Sequence, residues 1–92
     1  MTEMQKLIQG LNLFEIPFQV TSNLKTQQVW YPAKDNAICD VICHAYSYGG
    51  EQGLLEIMGL VDEDEVGDTV EGYLTAIDVL FRIANHYFNK AE

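Results

Sequence analysis

Between Ala76 and Phe88 the apolar residues Ala76, Val79, Leu80, Ile83, Ala84, Tyr87 and Phe88 recur at three- and four-residue intervals. That period belongs to an amphipathic α-helix, and no strand could bring those residues to one side. Just ahead of it, Thr75 and Asp78 have the spacing of a capping box, in which hydroxyl and carboxylate each satisfy an amide at the helix start. A stripe this apolar must be covered, so the rest of the chain has to supply the surface that covers it.

Ninety-two residues can enclose one hydrophobic core, which makes residues 1–92 a single domain. Met4, Leu7, Ile8 and Leu11 predict a second, shorter helix over residues 3 to 12, with Thr2 as its cap and Gly10 weakening its last turn. Pro17 stops that helix. Ile16, Phe18 and Val20 then alternate with polar residues as a strand does. Further strands are expected over Gln28–Tyr31, closed by Pro32, over the long stretch Ala37–Ser47, and over Leu54–Val61. Turns fall at residues 22–25 and 34–36, a glycine-rich loop at 48–53, a solvated acidic loop at 62–68, and a short extended piece at Val70–Leu74. The expectation is a two-layer α+β domain, in which an N-terminal and a C-terminal helix cover one face of a four-stranded antiparallel sheet (α-β-β-β-β-α).

Strand parity adds a surface. Along the third strand Cys39, Val41, Cys43 and Ala45 point one way and Ile38, Asp40, Ile42, His44 and Tyr46 the other; the fourth strand likewise has apolar residues on both faces. With helices on one face, water would meet a band drawn from Trp30, Ile38, Ile42, Tyr46, Leu54, Met58 and Leu60. Bands of this kind are commonly covered, so Trp30, Ile38, Ile42, Tyr46, Leu54 and Met58 form a candidate self-association face for a homodimer; curling of the sheet or a covering loop is the alternative.

Fourteen acidic residues oppose five basic ones, a net charge of −9. Without a basic stripe the chain cannot hold DNA or RNA through phosphates, and anionic membranes are equally disfavoured. Six acids, Asp62, Glu63, Asp64, Glu65, Asp68 and Glu71, fall within ten residues and make a docking surface for a basic partner; the competing reading is acidity for solubility alone. There is no signal-peptide pattern and no apolar run of membrane-spanning length, so the expected compartment is the cytoplasm. Cys39 and Cys43, about 13 Å apart at roughly 3.3 Å per residue in a strand, are beyond disulfide reach.

Specific chemistries match poorly. Cys39, Cys43, His44 and His86 are zinc-type residues, but structural zinc ligands come in pairs on turns and these cysteines lie in an expected strand, so neither metal nor cofactor is predicted. In a regular strand Cys43 and His44 point to opposite faces and cannot work as nucleophile and base. Asp62, Asp64 and Gly67 echo an EF-hand loop, yet Val66 and Tyr73 stand where ligand oxygens are needed. The loop Ser47-Tyr48-Gly49-Gly50-Glu51-Gln52-Gly53 joins two strands and contains no cation, which makes it first of all a turn. A second reading makes it a ligand loop, with Tyr46 and Tyr48 stacking on a small molecule while amides near Gly49 and Gly50 hold its anionic part.

Trp30-Tyr31-Pro32, the run from Ile38 to His44, that from Ser47 to Gly59, and Glu71-Gly72-Tyr73-Leu74-Thr75-Ala76 resemble small accessory proteins encoded by phages and prophages of Gram-positive bacteria, over residues 30 to 84. Those strings carry no known site. The resemblance implies a non-enzymatic protein that binds a host protein with a basic surface and inhibits or modulates it, of the kind directed at nucleic-acid-binding defence nucleases in anti-CRISPR or anti-restriction action. A nucleotide- or small-molecule-sequestering module and a structural or assembly protein are the alternatives.

Overall fold

A computed structural model describes residues 1–23, 26–60 and 69–89. Its elements are α1 (Glu3–Leu13), β1 (Gln19–Ser22), β2 (Gln27–Tyr31), β3 (Cys39–Ile42), β4 (Leu55–Met58), β5 (Val70–Leu74) and α2 (Ala76–Asn89). Single 3-10 turns occupy Lys34–Asn36 and Gly50–Gln52. The strands form one antiparallel meander in sequence order.

Both helices start as their sequences require. Thr2 Oγ1 accepts the Gln5 amide at 3.1 Å while the Thr2 amide donates to Gln5 Oε1 at 2.9 Å. Thr75 and Asp78 repeat the exchange at 3.3 and 3.0 Å. α1 ends in a Schellman arrangement: Ile16 N–H donates to Leu11 O, Glu15 N–H donates to Asn12 O, and Glu15 takes φ +56°. Ile16 and Leu11, the two residues such a motif brings together, are both buried.

One carboxylate ties the helices together. Glu3 accepts the Ala76 amide at 2.8 Å and pairs with Lys6 at 2.9 Å, so the first turn of α1 caps the first turn of α2. Further along, a Cβ on Gly10 would stand 2.6 Å from Leu80 Cδ2, so the side-chain-free turn of α1 is where α2 comes close. Both contacts advance in the same direction along the two helices, which therefore run in the same sense. Together they close the sheet: Met4, Leu7 and Leu11 of α1 and Ala76, Val79 and Ile83 of α2 bury against Val29, Tyr31, Cys39, Val41, Leu55, Ile57 and Leu74. Fully burying each of the larger of these contributes about 1.5–3 kcal/mol.

The α+β arrangement is as expected, but the sheet has five strands and not four. Val70–Leu74, the expected extended piece, pairs with β4, and Leu74 sits opposite Leu55. A bulge hides it from period-two reading: Leu55 faces Leu74 and Ile57 faces Glu71, leaving Gly72 and Tyr73 opposite the single residue Glu56. The third strand is four residues long where eleven were expected. Beyond Ile42 the Ser47 hydroxyl accepts the His44 amide at 2.9 Å and donates to the His44 carbonyl at 2.8 Å, drawing residues 44–47 into a turn. β4 also stops early, at Met58, because Gly59 and Leu60 take φ +89° and +53°. The predicted turn at Leu24-Lys25, residue Val61 and the acidic loop 62–68 lie outside the described residues.

Glu3 and Asp78 are held below their ordinary carboxyl values of 4.5 and 3.8, Glu3 mainly by the Ala76 amide and then Lys6, Asp78 by the Thr75 amide and hydroxyl. A depressed folded-state value gives stability that is present above the ordinary value and is lost as pH falls through it toward the folded one. Urea unfolding from about pH 7 to about pH 3 should therefore show a decline beginning near the ordinary carboxyl range, with Glu3→Gln and Asp78→Asn less stable near neutrality and shallower in their acid response. Identical slopes in the variants would remove both carboxylates from the account.

Candidate functional site

Each basic residue among those described is already engaged within the chain: Lys6 with Glu3 at 2.9 Å, Lys34 over the Trp30 ring at 5.9 Å, and Arg82 in a two-pronged bond to Glu71 at 2.8 and 2.6 Å. Arg82 also donates to Leu60 O at 3.2 Å, so it fastens α2 to β5 and to the turn after β4. Glu71 is thereby separated in role from its neighbours in sequence, since its side chain is largely buried and bound to Arg82. Asp62, Glu63, Asp64, Glu65 and Asp68 lie outside the described residues.

The open sheet face is less apolar than parity implied. Ladder register places Gln19, Trp30, Asp40, Met58 and Val70 in one row and Thr21, Gln28, Ile42 and Glu56 in the next. Its polar groups serve one another: Trp30 Nε1 donates to Thr21 at 2.9 Å and Gln28 donates to Asp40 at 2.8 Å. Ile38 and Met58 are exposed, whereas Tyr46 and Leu54 lie outside the strands. Trp30 and Ile42 on that face are half-buried, and Met58 is exposed.

A more apolar surface lies on the helical layer. α2 buries Ala76, Val79 and Ile83, yet Ile77, Phe81 and Phe88 on its other side are 76%, 66% and 59% exposed. Phe88, expected in the buried stripe, belongs to this outward one. The signal was in the sequence: Ile77, Phe81, Ala84 and Phe88 follow a second i, i+4, i+7, i+11 series beside the first.

The glycine loop builds a pocket. Ala45, Tyr46, Ser47, Tyr48, Gly49, Glu51 and Gln52 from the β3–β4 connection and Tyr73 from the bulge of β5 enclose about 300 Å³. Tyr46, Tyr48 and Tyr73 are 92%, 61% and 60% exposed. Two glycines let these segments meet. Gly49 takes φ +89° with the Tyr73 backbone 2.8 Å from where a Cβ would stand, and a Cβ on Gly72 would overlap Tyr48. Tyr73, itself at φ +60°, donates its amide to Tyr48 O at 3.1 Å.

That geometry is unsuited to an anion. The amides of Ser47, Gly50, Gln52, Gly53 and Leu54 donate to loop carbonyls, that of Tyr46 to His44 Nδ1 at 3.1 Å and that of Tyr48 to the Glu56 carboxylate. None of the described lining residues is a lysine or arginine, and Glu51 would repel a phosphate.

Cys39 is buried and its thiol is pushed up to about 12 by burial; Cys43 is raised for the same reason. Raised values keep both as thiols, the unreactive form. His86 shares a 2.8 Å hydrogen bond through Nδ1 with the Tyr31 hydroxyl in the interface between α2 and the sheet. Among the described residues no three His, Cys, Asp or Glu side chains converge as a metal site would require, and no helix is long and apolar enough to cross a membrane.

Comparison of the chain with protein-family models, curated proteins and solved structures yields no match. Gly72→Ala should lower unfolding stability by about 1–3 kcal/mol and displace the Tyr48 ring signals, because the added methyl must push the loop away. A variant with unaltered melting and tyrosine spectra would mean that the two segments are not in contact.

Proposed function

We propose that this chain is a non-catalytic binding module for a protein with a basic surface, anchored by the apolar side of α2 and oriented by its excess of carboxylates. The observation that carries this reading is the outward stripe Ile77, Phe81 and Phe88, left in water on a helix whose other face is already buried. Exposed apolar patches flanked by polar residues commonly mark protein interaction sites. Charge selects the occupant. A second copy would bring −9 against −9, whereas a basic partner is attracted. The likeness to phage and prophage accessory proteins gives the partner a context: a host enzyme whose nucleic-acid channel is lined by lysine and arginine, where carboxylates take the place of phosphates.

Pull-down from nuclease-treated bacterial lysate with three proteins tests this: the natural chain, Ile77→Ser/Phe81→Ser, and a variant with Asp62→Asn, Glu63→Gln, Asp64→Asn and Glu65→Gln. The expected result is a basic protein captured by the natural chain and lost with the serine variant. In the neutralised variant binding should be weaker and its dependence on salt flatter. Capture that both variants retain undiminished would sink the proposal. The serine changes are at exposed sites and should leave the melting temperature within about 0.5 kcal/mol equivalent of the natural chain, which separates lost binding from lost folding.

A further inference from the structure

Three tyrosines line the pocket beside the glycine loop, outside the hydrophobic core. Tyr46, Tyr48 and Tyr73 contribute no buried area to the core, and their rings are among the most exposed aromatic groups described. The chain nevertheless takes on backbone strain to gather them: Tyr73 is held at φ +60°, a conformation disfavoured for a bulky side chain, inside a bulge that turns it out of the sheet. Gly72 and Gly49 supply the close approach, and the Tyr73 amide bonded to Tyr48 O fixes segments 25 residues apart in sequence. Strain kept in a solvent-facing pocket marks a place where geometry serves something other than packing.

The lining identifies the ligand class. Aromatic faces carry negative electrostatic potential and attract cations, and a carboxylate beside them adds to the attraction. Glu51 lies in the wall, none of its described lining residues is a lysine or arginine, and most of the loop amides around it already donate within the loop. A volume of about 300 Å³ is at the lower end for a ligand cleft, enough for one side chain and small for a nucleotide. We infer that this pocket receives a lysine or arginine side chain of the basic partner, held between the Tyr46, Tyr48 and Tyr73 rings with its charge against Glu51. The assignment rests on the protein-binding role proposed above, and it gives that role a point of specificity distinct from the α2 stripe.

Tyrosine ring resonances of the intact chain, followed by NMR, provide the test, with Nα-acetyl-lysine methylamide, Nα-acetyl-arginine methylamide, the neutral norleucine analogue, putrescine and inorganic phosphate as probes. The lysine or arginine amide should shift the Tyr46, Tyr48 and Tyr73 signals saturably in the millimolar range, with norleucine and phosphate producing no saturable shift. Tyr48→Leu and Glu51→Gln, both at exposed positions, should each weaken that response about threefold or more while amide resonances of the sheet and helices stay in place. An equal response to norleucine, a response to phosphate, or indifference to both substitutions would overturn the assignment. Saturation by putrescine with none by either amino-acid amide would also overturn it, in favour of a free polyamine. The two proposals fail separately: a lysate partner lost with Ile77→Ser/Phe81→Ser but bound normally by Tyr48→Leu and Glu51→Gln leaves the binding module standing and removes the pocket from it.

Discussion

The fold depends on a five-stranded sheet having one face closed by two short helices whose first turns meet at the Glu3 carboxylate. Neither helix, at 11 and 14 residues, would persist in water without tertiary packing. Glu3 sets where each begins relative to the other, by taking the Ala76 amide and holding Lys6 on its second oxygen. From that fixed point the helices run the same way over the sheet, and Gly10 allows Leu80 to close the seam between them. Everything apolar on the inward face of β2, β3 and β4 is then covered, from Val29 and Tyr31 through Cys39 and Val41 to Leu55 and Ile57.

One-sided closure decides what is left for function. A sheet only five strands wide gives its helices room to bury one side each, so the remaining circumference of α2 is in water, and there Ile77, Phe81 and Phe88 lie. The sheet's own open face resolves differently. Trp30 is held by Thr21 and covered by Lys34, Gln28 is bound to Asp40, and the apolar members are interleaved with these pairs. Two surfaces that look alike in hydrophobic content differ in how many of their groups are already satisfied.

This difference marks how far the sequence could be read. Helix periods, the cap at Thr2 and the capping box at Thr75 were legible because each depends on residues within one or two turns. The inward parity of Cys39, Val41, Leu55 and Ile57 was legible for the same local reason. What escaped depends on contacts distant in sequence or on a broken period. Gly72 and Tyr73 interrupt the alternation of β5, so a paired strand read as an extended piece. Ser47 ends β3 through its hydroxyl, which hydrophobic pattern does not register. The tyrosine pocket needs residue 73 against residue 48, a juxtaposition no local rule provides; Tyr46, Tyr48 and the glycines could be singled out, but their amides read as an anion cradle, whereas those of Tyr46, Tyr48 and Gly50 donate within the chain and Glu51 stands in the wall.

In the proposed binding module, long-range charge and short-range chemistry have separate tasks. At physiological salt a net charge of −9 acts over about 8 Å, enough to favour encounter with any basic surface and too diffuse to choose among them. Selection requires contacts that exclude water and have a shape. The outward stripe of α2 supplies apolar area, where affinity in protein interfaces concentrates around aromatic anchors such as Phe81. The tyrosine pocket supplies the direction in which a cation must approach, because ring faces and a carboxylate stabilise it only when it enters between them. A partner that presents a basic surface alone satisfies the field and neither contact. One that also carries an apolar groove and a projecting lysine or arginine satisfies all three, and the three terms reinforce one another only in that arrangement.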